Sequence, residues 1–205
     1  KDVAWDYIEL TPESTALAKK LDAVCFGSLA QRNNVSRSAI TEFLSLVPEK
    51  ALKIFDINLR QNFYSRQLIA ESLQISNILK INDEELLVFA NLFGLKGNAD
   101  YLCNKILENY DLKLLAYTCG ANGSYLYSPD DVSFMKSPAV KVKDTVGAGD
   151  SFTAALMVSL LKGFTLSGCH SLAVELASFL CGNEGAMPEY PGELRERINS
   201  YYFKQ

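Results

Sequence analysis

Short apolar runs that break off into polar residues alternate along the chain with longer stretches whose apolar positions recur every three or four residues. The runs AVCFGS (23–28), LKIFDIN (52–58), NILKIN (77–82) and LKLLAYT (112–118) have the length and near-continuous hydrophobicity of strands covered on both faces. Between them, SRSAITEFLSLVPEK (36–50), SRQLIAESLQ (65–74), NDEELLVFANLFG (82–94) and NADYLCNKILENY (98–110) carry helical spacing. Strand and helix in alternation imply right-handed crossovers onto a mainly parallel sheet with helices on both faces, a three-layer αβα sandwich. In such sheets ligands collect outside the carboxyl ends of the strands, which makes the polar strand exits the candidate chemistry.

After Thr118 the pattern changes. GANGSYLYSPDDVSFMK (120–136) holds two alternating stretches around an SPDD turn and predicts a hairpin. Three helical segments follow, at about 149–162, 165–181 and 191–203. No internal repeat, low-complexity tract or linker interrupts the chain, so the expectation is one α/β domain over residues 1–205.

Composition narrows the partners. With 205 residues, 48% hydrophobic and 21% charged, the chain has enough apolar content for a sizeable core. Its longest apolar runs, such as 154–161, are too short for a bilayer, so no membrane partner is expected. A net charge of -4 leaves no basic footprint for nucleic acid. The five cysteines (Cys25, Cys103, Cys119, Cys169, Cys181) are odd in number, scattered and never in a CxxC pair. That pattern predicts thiols in a reducing, cytoplasmic setting rather than disulfides or a zinc site. The one histidine, His170, cannot make a two-histidine metal site and reads as structural, which leaves acid–base work to carboxylates.

The densest candidate is KDTVGAGDSF (143–152), immediately before an apolar helical run. Small residues at Gly147, Ala148 and Gly149 would let backbone N–H groups approach an anion, with the helix dipole adding to the attraction. Asp150 could then take a proton from an attacking hydroxyl while the amides stabilise a transferring phosphoryl group. A plainer reading serves the loop equally well: Asp150 and Ser151 cap a helix. No GKS or GKT follows, so this is not a Walker A loop.

Other strand exits add to the picture. Asn82 and Glu85 present an amide and a carboxylate one helical turn apart, suited to hydrated Mg2+ or simply to a capping box. Thr118, Gly120 and Gly123 allow close approach to a ligand, or a tight hairpin entry. Asp56, Asn58 and Arg60 alternate beyond an apolar strand and would point one way, with Arg60 offering a fork for an anionic group; the alternative is a surface Asp56–Arg60 ion pair. Gly27 and Ser28 sit at another strand exit, with Arg32 a weaker candidate nearby.

DTVGAGDSF resembles the C-terminal signature of the ribokinase-like, phosphofructokinase-B type carbohydrate kinases, and the likeness extends over nearly the whole chain, matching the C-terminal two-thirds of the family's length. KINDEE resembles the family's N-x-x-E motif and TCGANG its T-x-G-x-x-G. FDINLR resembles the D-x-N-x-R segment of fructokinases and 2-keto-3-deoxygluconate kinases, and CFGSLAQRN is fructokinase-like; bacterial fructokinases are the nearest in pattern. The tail CGNEGAMPEYP resembles a segment that closes around the adenine side and a monovalent-cation site.

The resemblance implies a ribokinase-like fold that uses ATP and Mg2+. It makes Asp150 the catalytic base and residues 147–149 the anion hole. It places Asn82, Glu85, Thr118, Gly120, Gly123 and Asn183 on the nucleotide side, Glu85 holding Mg2+ through water and Glu189 closing the tail. Gly27, Asp56, Asn58, Arg60 and Asp150 fall to the acceptor, and Asp144 with the Val146 carbonyl to K+. The implied reaction transfers the ATP γ-phosphate to a hydroxyl of a ketose, fructose first, with 2-keto-3-deoxygluconate, another sugar or a nucleoside left open. Family members also carry an N-terminal lid and first strands, and the lid often forms a homodimer interface. VAWDYIEL resembles the chain just leaving that lid, and nothing before it matches the lid, so the expected domain is N-terminally incomplete. The alternative is therefore a nucleotide-binding fragment without turnover. A dinucleotide enzyme fits less well, because no early strand-GxGxxG-helix unit is present.

Overall fold

The structure, a computed structural model, describes residues 2–200. Two compact units divide it: one runs through Thr118 and includes Tyr127–Asp131, the other comprises Cys119–Leu126 and the chain from Val132 onward.

The first unit is built on four strands, β1 (Ala23–Phe26), β2 (Leu52–Asp56), β3 (Ile78–Asn82) and β4 (Leu114–Thr118). Each pairs in parallel with the next, in a register that sets Asp56 beside Lys80 and Asn82 beside Thr118. Ile54, Phe55, Leu79, Ile81, Leu115 and Ala116 are wholly inaccessible, the burial expected of parallel strands covered on both faces. Helices α1 (Pro12–Ala18), α2 (Asn34–Leu46), α3 (Arg66–Ile75), α4 (Asp83–Phe93) and α5 (Ala99–Asn109) accompany these strands. A side cluster of Ala18, Val47 and Ala51, with Leu21, Val24, Phe43 and Leu46 against it, seals α1 and α2 beside β1.

The second unit carries β5 (Ser124–Tyr127, its last residue assigned to the first unit), β6 (Val132–Met135), α6 (Ala148–Leu161), α7 (Leu166–Cys181) and α8 (Gly192–Ser200). The six strands follow one another in the order β1-β2-β3-β4-β5-β6, so the α/β fold with a mostly parallel sheet flanked by helices is confirmed. Helices α6 and α7 pack closely, and Phe152, Ala155 and Leu156 on the first and Leu172, Ala173 and Leu176 on the second are buried. No helix among the described residues is long and apolar enough to cross a membrane.

Three boundaries differ from the sequence reading. The helix expected to run to residue 50 stops at Leu46, because Pro48 drives Val47 into an extended conformation, φ -70° and ψ 132°. Helix α1 was not anticipated, although Thr11 caps it through the Ser14 N–H and Pro12 opens it, both start signals. The expected end of the last helix, 201–203, lies outside the described residues.

Candidate active site

In the first unit the strand exits converge on the backbone that follows β2. Asp56 ends β2 with 6% of its surface exposed, and Lys80 of β3 donates from Nζ to its Oδ1 at 3.0 Å. A charge inside an apolar strand needs such a partner. The Lys within the apolar run ILKI is the sequence signal for this pair. The alternative reading, a surface Asp56–Arg60 ion pair, does not hold: Asp56 pairs with Lys80, while exposed Arg60 donates only to the neighbouring Leu59 carbonyl among the described residues.

Beyond Asp56 the strand alternation also fails. Asn58 adopts φ 42°, which turns the chain and breaks the one-sided array expected of Asp56, Asn58 and Arg60. Three bonds hold this turn: the Ile57 N–H donates to the Lys80 carbonyl at 3.1 Å, the Ser28 hydroxyl donates to the Asn58 carbonyl at 3.3 Å, and the Leu59 N–H donates to Glu85 Oε1 at 3.0 Å. Gly27 lets the two backbones approach closely: a Cβ there would lie 3.1 Å from the Asp56 carbonyl oxygen, which would have to give by a few tenths of an ångström.

Glu85 does two things at once. Its Oε2 accepts the Asn82 N–H at 2.9 Å while Asn82 Oδ1 accepts the Glu85 N–H at 2.8 Å, a complete capping box at the start of α4. Burial raises its carboxyl pKa, opposed by the bond from Asn82, the charge of Lys80 and the bond from Leu59. Both carboxylate oxygens already accept an amide hydrogen and each keeps one lone pair, which fits a water of hydrated Mg2+ better than direct ligation. Among the described residues no group of three or more His, Cys, Asp or Glu forms a metal-holding cluster. Arg32, the weaker candidate, is engaged structurally: it forms a bidentate pair with Asp6 at 2.7 and 2.8 Å and lies 4.5 Å over the Phe63 ring.

The second unit holds the glycine-rich loop. Side-chain oxygens of Thr11, Asn33, Ser65, Asn82, Asn98 and Thr165 cap α1 to α5 and α7, but α6 starts from Gly147 with no side-chain cap. Asp150 and Ser151 lie inside the first turn, so neither caps the helix, and that plainer reading falls. Ala148 donates to the Thr145 carbonyl and Ser151 to the Gly147 carbonyl, whereas among the described residues the Gly149 and Asp150 amides meet no acceptor. Exposed Asp150 stands in this first turn.

Asp144 shapes the approach to that turn. Its Oδ1 accepts the Val146 N–H at 2.9 Å and its Oδ2 the Gly185 N–H at 3.3 Å. The bond from Val146, with those from Gly185 and Thr145, holds its carboxyl below the usual range. Gly147 sits at φ 81° with Ala186 packed against it, a Cβ being only 3.1 Å from the Ala186 Cβ. The GAMP tail thus closes on the glycine loop. Asn183 spends its side-chain amide on the Phe179 carbonyl at 2.7 Å, ending α7, and Glu189 pairs with Arg195 at 3.1 Å.

A pocket of about 570 Å³ opens in this unit between the chain leaving β6, at Met135, Lys136 and Pro138, and the α7 face formed by Ser171, Val174 and Ser178. Gly123 packs against the backbone of two of these lining residues: a Cβ there would run into the Met135 carbonyl oxygen and lie 3.1 Å from the Lys136 Cα. Gly120 accepts the Ser137 hydroxyl at 2.6 Å, so both glycines of the T-x-G-x-x-G segment border this strand exit.

Polar exits of parallel strands and a helix start with no side-chain cap are each places where anionic ligands are held. The model of the pfkB family carbohydrate kinases matches residues 3–192, and the chain belongs to that family. It is 30% identical over 167 residues to a sugar kinase of Pyrococcus horikoshii, covering 78% of this chain and 50% of that protein. The crystal structure of that uncharacterized sugar kinase in complex with ATP aligns at TM-score 0.75 with 28% identity, over 91% of this chain and 60% of the other. A fructokinase of Rhizobium leguminosarum is 42% identical over 85 residues, 42% of this chain and 24% of the other. The aminoimidazole riboside kinase of Salmonella enterica, solved with aminoimidazole riboside and an ATP analog, shares the fold at TM-score 0.76 and 22% identity, over 96% of this chain and 67% of the other. The chain spans about half the length of the Pyrococcus relative it matches.

Proposed function

We propose that the protein carrying this chain transfers the γ-phosphate of ATP to a hydroxyl of a sugar. The observation that carries this reading is the start of α6, where an aspartate stands in the first turn beside two amides that meet no acceptor among the described residues and a glycine cap. Amides fixed in this way stabilise charge that develops on a transferring phosphoryl group, and a carboxylate beside them takes the proton of the attacking hydroxyl. Asp150 is the general base; the Gly149 and Asp150 amides, with the loop from Gly147, form the anion hole.

The pocket beside Gly123 takes the nucleotide base between its apolar walls, and Thr118, Gly120 and Gly123 border the nucleotide. Asn82 and Glu85 hold Mg2+ through water, which would supply neutralisation of the phosphate charge. Asp144 and the Val146 carbonyl are the pair for K+. On the acceptor side, Asn58 and Arg60 contact the sugar from a turn held by Gly27, Ser28 and Glu85, while Asp56 supports the turn through Lys80. A fructose acceptor follows the FDINLR pattern; the riboside named for the Salmonella kinase keeps nucleosides in the panel. A reducing cytoplasm suits cysteines that form no disulfide.

The test is Asp150→Asn in the longest form of the protein, assayed with MgATP against fructose, 2-keto-3-deoxygluconate, ribose and a riboside. Loss of about three to four orders of magnitude in kcat for the accepted sugar, with ATP affinity kept, is the expected result. Turnover close to the unmodified rate in a folded variant would overturn the assignment.

A further inference from the structure

We infer that His170 is a positioning residue for the nucleotide pocket, tying its two walls and the N-terminal part of α6 into one rigid piece. The inference rests on the proposed nucleotide reading of that pocket. His170 is wholly inaccessible on α7, with Nε2 2.8 Å from the Ser124 hydroxyl on β5 and Nδ1 2.9 Å from the Ser133 hydroxyl on β6. The ring also meets Phe152 edge-on, with centroids 6.3 Å apart and planes at 75°.

Each contact leads to a different part of the site. Ser133 lies two residues before Met135, on the strand that supplies one pocket wall, and Ser171, next to His170, belongs to the other wall. Ser124 directly follows Gly123, which abuts the same strand exit. Phe152 lies on α6 two residues after Asp150, just past the first turn. One imidazole therefore joins β5, β6, α7 and α6 within two residues of the positions that line the pocket, abut its strand exit or carry the aspartate of the glycine loop.

The chemistry favours histidine here over an apolar filler. A neutral imidazole has one donor and one acceptor nitrogen, and a serine hydroxyl answers either, so both bonds form whichever tautomer is present. Burial supports the neutral form by lowering the pKa to about 4. A leucine would fill the space and leave the buried Ser124 hydroxyl unpaired, and the strand would gain freedom to slide along the helix.

The experiment measures ATP affinity without acceptor, by calorimetry, in the unmodified protein, His170→Gln and Ser133→Ala. Imidazole resonances assigned to His170 by their loss in His170→Gln are followed in parallel. The expected results are ATP binding weakened about ten-fold in His170→Gln and about three-fold in Ser133→Ala, with kcat at saturating ATP changed less than about three-fold. Ring resonances of the unmodified protein shift on ATP addition. A folded His170→Gln variant that binds ATP within about two-fold of the unmodified protein overturns the inference. Should His170→Gln fail to fold, unchanged affinity in Ser133→Ala together with silent ring resonances overturns it. If the unmodified protein itself binds no ATP, the nucleotide reading fails and this inference with it.

Discussion

Glu85 Oε1 accepts the backbone N–H of Leu59 at 3.0 Å, so the residue that caps α4 also fastens the turn after β2. A carboxylate in an N-x-x-E pattern thereby governs the backbone that presents Arg60.

Replacing Glu85 with alanine removes half of a capping box and the Leu59 anchor together, with expected destabilisation of about 1–3 kcal/mol. Urea unfolding with unchanged m-value reads this directly. A shift below about 0.5 kcal/mol would mean that the turn is held by its other two bonds alone.

Lys80 and Asp56 are mutually dependent, each side chain 9% exposed. Lys80→Ala removes the cation that faces the buried Asp56 carboxylate and is expected to cost about 3–5 kcal/mol. Lys80→Met combined with Asp56→Asn should recover a large part of that loss. A double-mutant cycle showing additive effects would argue against a coupled pair.

The two site glycines should differ in their tolerance of alanine. Gly147→Ala adds left-handed strain and a close approach to the Ala186 methyl, with an expected loss of about 1–2 kcal/mol. Gly123→Ala, at φ 110°, drives a methyl into the Met135 carbonyl and must displace backbone, so its loss of thermal stability should be the larger. The reverse ranking of Tm values would contradict this geometry.

Acid should weaken the fold through His170. The folded-state pKa of about 4 lies below the ordinary value of 6.5, so the unfolded chain takes up the proton first as pH falls. This contribution is fully present above pH 6.5 and declines between there and about pH 4, by about 3 kcal/mol in all. Unfolding midpoints of the unmodified protein and of His170→Gln, compared at pH 7 and pH 4.5, should converge at the lower pH. Parallel profiles would exclude this source.

Much of the sheet was legible because its strands are buried on both faces and read as unbroken apolar runs, as in LKIFD and LKLLAYT. The glycine loop was legible as a pattern, but its capping was not: whether Asp150 sits at the cap or within the first turn depends on Gly147 reaching φ 81°, which composition does not reveal. The D-x-N-x-R segment misled for a related reason. Alternation presumes an extended chain, and Asn58, a residue tolerant of positive φ, ends it. The bonds from His170 to Ser124 and Ser133 span 46 and 37 residues and leave no local trace in the sequence.

Trp5 is the chain's sole tryptophan, and its ring centre lies 5.8 Å from the Arg32 guanidinium that Asp6 grips. The protein thus carries its own optical gauge: indole emission reports whether the segment around Trp5 stays docked on Arg32. The Arg32 hydrogen bond to Asp6 keeps that carboxyl ionised down to about pH 2. Emission from the docked indole should therefore hold steady through the acid range in which His170 becomes charged, giving the two halves of the chain separable readouts in a single titration.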